Sequence, residues 1–117
     1  MKNMPPDVVN YIDISSACER LISAKVYKTI LKKFLTNKEI DKLLMEYHGN
    51  NLEEAIKTIH AIKGMVGNLS LTALYEGSVH LEMKLKQGES TNQDMEKFKC
   101  LWEKTKKYAA LVVEAIG

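Results

Sequence analysis

Proline is the residue that helices tolerate least, and this chain has two, Pro5 and Pro6, both near its start. Inside a helix, proline removes a backbone hydrogen bond and clashes with the preceding turn. Everything after Pro6 is therefore free to be helical. No later stretch sustains the period-two alternation of a half-buried strand, and what recurs instead is apolar spacing of three and four. Asp13 can cap a short first helix with the stripe Ile14, Cys18, Leu21 and Ile22. Val26, Tyr27, Ile30, Leu31, Phe34 and Leu35 share the next face, and Ile40, Leu43, Leu44 and Tyr47 begin a new one after a slip of register near Thr36. Thr36-Asn37-Lys38-Glu39 has the form of a capping box, which predicts two helices or one kinked helix here.

His48-Gly49-Asn50-Asn51 reads as a turn, with Gly49 suited to a helix end, and a helix follows from about Leu52. Ser70-Leu71-Thr72 reads as a tight connection with Thr72 as cap. The next helix, Ala73 to about Gln87, would bury Leu74, Ser78, Leu81 and Leu85 and stop at Gly88. A last helix starts near Asn92, with Met95, Phe98, Trp102, Thr105, Ala109, Val112 and Ile116 as its stripe. Long helices joined by short connections are antiparallel neighbours. The expected fold is all-α: an antiparallel up-and-down four-helix bundle with a short extra N-terminal helix, residues 1–117 forming one domain.

Composition narrows the function. With 117 residues, 45% of them hydrophobic, the chain can build a core without a disulfide or metal staple. A net charge of +2, with the basic residues scattered, is too mild for a nucleic-acid binder. No apolar run approaches the ~20 residues of a membrane span, and MKNMPPDVVN lacks the apolar centre of a signal peptide. Cys18 and Cys100 are far apart without metal-type spacing, as expected of reduced thiols at core or boundary positions in a cytoplasmic protein. A monomer is expected, because no spare apolar stripe is left over.

One stretch, TIHAIKGMVGNLS from Thr58 to Ser70, breaks the pattern. Gly64 and Gly67 each cost a helix about 1 kcal/mol relative to alanine. On a helical projection Ala55, Ile59, Ile62, Met65, Val66 and Leu69 face the core, and His60 points away from them. Ile56, Lys57, Lys63, Gly64 and Gly67 are its outer-face neighbours. Missing side chains beside an exposed histidine let another molecule approach the imidazole, and a neutral imidazole is a nucleophile. Elsewhere, His48 reads as a helix-end residue and His80 as a surface residue, with no ligand spacing for a metal. Lys104, Lys106 and Lys107 read as a solvated face.

His60-Ala61-Ile62-Lys63-Gly64 resembles the HxxKG signature of histidine-containing phosphotransfer (HPt) domains. The resemblance extends over most of the chain: Tyr11-Ile12-Asp13 with Tyr27, Leu31 and Phe34 look like the family's opening helices. Leu74, Leu81-Glu82 and Lys86-Gln87-Gly88 look like the helix after its active histidine. Ile59, Ile62 and Ser70 depart from the family's common alanine, leucine and glycine. The resemblance implies a phosphoryl carrier, not a turnover enzyme, serving receiver domains of response regulators and a sensor histidine kinase in a two-component phosphorelay. His60 would accept and donate the phosphoryl group and Lys63 would steady its charge. Ile56, Lys57, Gly64 and Gly67 would form the docking surface, and Glu82 stands where an acid orients the ring in the chemotaxis-kinase branch. The protein would need no cofactor of its own, with Mg²⁺ on the partner receiver. A chain that begins with methionine and carries no kinase region reads as freestanding. The alternatives are a phosphotransfer domain of a larger hybrid or chemotaxis-type kinase, and a receiver-binding module that carries no phosphate.

Overall fold

A computed structural model describes residues 6–13 and 23–116; the expected short helix at 14–22, with Cys18, lies outside the described residues. Five helices follow a 3₁₀ turn at Pro6–Asn10: α1 (Ala24–Leu35), α2 (Glu39–His48), α3 (Leu52–Asn68), α4 (Thr72–Gln87) and α5 (Asn92–Ile116). The chain is all-α, with no strand among the described residues.

The helix ends have local causes. The Ser23 side chain accepts from the Val26 amide and starts α1. The break after α1 falls where the register slips, but Thr36 is not the cap expected there. Its hydroxyl donates back to the Lys33 carbonyl, and Asn37 accepts from the Glu39 amide at 2.8 Å instead. Asn51 caps α3 through the Glu54 amide. Between α3 and α4 the expected cap also differs: Leu71 occupies the N-cap, and the Thr72 hydroxyl donates to the Asn10 carbonyl. Ser70 sits in this turn at φ +56°, a left-handed conformation that glycine adopts without strain. Gly88 ends α4 at φ +69°.

Tertiary packing brings four columns around one core. α1 and α2 both lie against α5, α3 lies between α2 and α4, and α4 closes back on α5. At 25 residues, α5 is about 37 Å long and runs most of the molecule's 43 Å length. Tyr27, Leu31, Leu43, Ile59, Ile62, Leu74 and Met95 are buried in the centre. Trp102 packs on Phe34 with ring centroids 5.0 Å apart. Burial of each such side chain stabilises the fold by about 1.5–3 kcal/mol. Polar groups fasten the columns: Tyr27 donates to the Leu69 carbonyl at 2.9 Å, and buried Thr58 of α3 donates to Glu46 of α2.

The segment before α1 closes one end of the core. Val8 and Ile12 are buried, the Tyr108 hydroxyl donates to Asp7 at 2.6 Å, and the Asp13 amide donates to the Ser70 carbonyl at 2.8 Å. Lys104 is exposed but stands over the Tyr11 ring, so it is not merely solvated. One further placement differs from the sequence reading and another adds to it. Cys100 is exposed, where a core or boundary position was expected. Glu82 is buried on α4 beside the stripe Leu74, Ser78, Leu81 and Leu85. No helix among the described residues is long and apolar enough to cross a membrane.

A Cβ at Gly88 would meet no atom within 4 Å, so the left-handed backbone alone sets the cost of adding one. Gly88→Ala is expected to lower stability by about 1 kcal/mol, read from the midpoint of urea unfolding at unchanged slope.

Candidate functional site

Helix α3 presents His60 outward from its middle because Ile59 and Ile62, on either side of it, are fully buried. The His60 side chain is 67% exposed, yet its ring is not free to turn. Nδ1 lies 2.8 Å from Oε2 of Glu82, which α4 projects from beneath. The Glu82 side chain is 6% exposed and takes Lys63 on its other oxygen: Nζ donates to Oε1 at 2.6 Å. Lys86, one turn after Glu82 on α4, brings a second ammonium to within 3.4 Å of Oε2.

Burial alone would push the Glu82 carboxyl up. Hydrogen bonds from Lys63 and His60, with the charges around them, outweigh it and hold the group at about 2 instead of 4.5. An ionised carboxylate only accepts hydrogen bonds, so the nitrogen facing it carries the ring proton. This assignment of Nδ1–H follows from the bonding network. It leaves the lone pair of the neutral ring on Nε2, the other nitrogen of an exposed side chain.

The outer-face residues fall into distinct surroundings. Gly64, one turn after His60, is exposed, and a Cβ there would meet nothing within 4 Å. Gly67 is different from what its outward phase predicts. A Cβ there would stand 3.1 Å from the Tyr75 ring, so this glycine seats Tyr75 of α4 instead of leaving an open approach. An open cleft of about 530 Å³ begins at Lys63 and Gly64 and passes Gly67 and Tyr75 to reach Thr72. Ile56 is half-buried against the core, and Lys57 is exposed and pairs with Glu54 at 3.3 Å. His48 and His80 are exposed, and His48 packs edge-on to Tyr47. Among the described residues no group of three or more His, Cys, Asp or Glu side chains could hold a metal ion.

His60, Lys63 and Glu82 thus meet at one point; spacing placed Lys63 beside His60, and the structure adds the reach of Glu82 from α4, while Gly67 lies against Tyr75. Sequence reading missed two participants, Lys86 and Tyr75. The first was legible as a lysine one turn after Glu82, the i,i+4 spacing at which helix side chains meet. The second had no local signal, because its seat lies on another helix. No protein-family model, curated protein or solved structure matches the chain.

Glu82 titrates below its ordinary value, so its pairing stabilises the fold above about pH 4.5 and loses that effect as pH falls from there to about 2. Over that interval the wild type is expected to lose about 2–3 kcal/mol more stability than Glu82→Gln, measured by urea unfolding at each pH. Equal losses would mean that the carboxylate is not held ionised. Gly64→Ala, by contrast, should raise stability by about 1 kcal/mol, since an open, exposed helical position gains helix propensity and loses nothing. The same melt measures both.

Proposed function

We propose that this chain is a histidine phosphotransfer domain of a two-component phosphorelay, with His60 as the phosphoryl carrier. The observation that carries this reading is the fixed ring: a buried, ionised Glu82 holds Nδ1 and leaves Nε2 as the nucleophile on an exposed face. On this reading the packed helices form an antiparallel up-and-down bundle, with α1 and α2 as one column and α3, α4 and α5 as the others.

Transfer would then need little chemistry from this protein beyond positioning and charge stabilisation. The Nε2 lone pair attacks the phosphorus of a receiver's aspartyl phosphate. An N–P bond forms, and the P–O bond breaks with its electron pair leaving on the aspartate carboxylate. Positive charge develops on the ring, and Glu82 stabilises it through Nδ1–H, as a buried carboxylate does for a histidine base in other enzymes. Lys63 secures Glu82 from the other side. Empty space at Gly64 lets the receiver's reacting carboxylate come near. The receiver supplies its own Mg²⁺, and this chain needs no cofactor. Ile56 and Lys57 offer an apolar contact and a steering charge on the same face. The protein acts as a cytoplasmic monomer and binds no nucleic acid.

The His60–Glu82 contact also favours a second reading within the same chemistry, in which the donor is an ATP-dependent kinase domain and this chain is the phosphotransfer domain of a larger kinase. Glu82 stands where an acid orients the ring in the chemotaxis-kinase branch of the family that the sequence resembles.

Transfer of label from phosphorylated receiver domains tests the function. Acid-labile label should appear on the wild type and be absent from His60→Gln. Glu82→Gln should accept it about 10- to 100-fold more slowly, the usual cost of losing the partner that orients a histidine. A bulky side chain at Gly64 should block transfer and leave the fold intact. Wild type that takes label from neither a receiver nor a kinase domain would contradict the proposal.

A further inference from the structure

The two lysines on Glu82 are not equivalent. Lys63 is 26% exposed and makes the shortest contact, 2.6 Å, to Oε1, an oxygen with no other donor among the described residues. Its departure would strip a buried, ionised oxygen of its hydrogen bond, which is costly. Lys86 is 58% exposed and stands farther off, 3.4 Å from Oε2. That oxygen keeps His60 Nδ1 at 2.8 Å when Lys86 leaves. The greater length and exposure of the Lys86 contact make it the weaker of the two that Glu82 makes with lysine. Of the two, Lys86 is the one that can leave Glu82 at the smaller cost.

Lys86 also starts in the right place. Its ammonium and the His60 ring meet on one carboxylate oxygen, so they stand within two hydrogen-bond lengths of each other. Its flexible four-carbon stem lets the charge swing round the ring. Neither of the other lysines on these two helices shares a carboxylate with His60: Lys57 pairs with Glu54 at 3.3 Å and Lys84 with Asp94 at 3.0 Å. With the ring neutral, Lys63, Lys86 and Glu82 sum to a net positive site before any phosphate arrives.

We infer that Lys86 is the residue that binds the phosphoryl group on His60, leaving Glu82 to do so, while Lys63 stays on Glu82 as a positioning residue. This rests on the reading of His60 as the phosphoryl carrier. A phosphoryl group offers the Lys86 ammonium several strong acceptor oxygens in place of half a shared one. No bond to phosphorus changes in this step; one charge-assisted hydrogen bond is exchanged for another.

The test loads the intact protein with phosphoramidate, a small phosphoryl donor, and follows the bound group by phosphorus NMR against pH. Wild type, Lys86→Gln, Lys86→Arg and Lys63→Gln are compared, with circular dichroism confirming each fold. An adjacent ammonium favours the dianion, so Lys86→Gln should titrate at higher pH than wild type, and Lys86→Arg should restore the wild-type curve. The displacement in Lys63→Gln should be smaller. Because Lys86 is exposed, its variants do not threaten the fold. A Lys86→Gln curve that overlays wild type, or a shift in Lys63→Gln as large or larger, overturns the assignment to Lys86 and leaves His60 as the carrier. If His60 takes no phosphoryl group from phosphoramidate or from a receiver, the reading of the site falls and the role of Lys86 with it.

Discussion

A buried carboxylate without partners is among the least stable things a protein can contain, and Glu82 sits 6% exposed on the core side of α4. It is tolerated there because three donors from two helices meet its two oxygens. That single cluster joins α3 to α4, turns the His60 ring and gathers two ammonium groups at one exposed spot. Loss of Lys63 would leave Oε1 without its hydrogen bond, whereas Oε2 keeps one from His60 when Lys86 turns away. Structure and chemistry are therefore coupled at Glu82 more closely than anywhere else among the described residues.

The rest of the fold serves to bring α3 and α4 together at the right height. Buried Ile59 and Ile62 fix the rotation of α3. Tyr75 lies against Gly67, where a Cβ would stand 3.1 Å from its ring and the ring would have to shift. On the far side of α4, a Cβ at Gly77 would come within 2.8 Å of the end of the Leu101 side chain, so α5 also packs against α4. Of the two glycines beside His60, one thus serves helix contact and the other leaves open space. Gly64 lowers helix propensity with no packing return, which is the pattern of a position kept for access instead of stability.

Periodicity made most of this legible. The stripes of α3, α4 and α5 are buried nearly as the spacing of three and four predicts, because a long helix has only one face to give to a core. The outward phase of His60 followed from the same count. What the sequence obscured is of two kinds. Caps depend on which of several polar neighbours wins a local hydrogen bond, so Asn37 displaced Thr36 and Leu71 stood where Thr72 was expected. Contacts between helices depend on register, which is why Gly67 looked open and why the reach of Glu82 to His60 could not be read from spacing. Burying Glu82 makes sense only once Lys63 and His60 are seen to reach it from the neighbouring helix.

The central claim is that Glu82 fixes the proton of His60 on Nδ1 and so makes Nε2 the reactive nitrogen. Long-range proton–nitrogen correlation of the His60 ring, recorded by NMR where the ring is neutral, reads this tautomer directly. A protonated Nδ1 with an unprotonated Nε2 is the result expected. A ring protonated mainly on Nε2 would contradict it, because Glu82 would then have no hydrogen bond to accept from His60 and the exposed nitrogen would have no lone pair to offer.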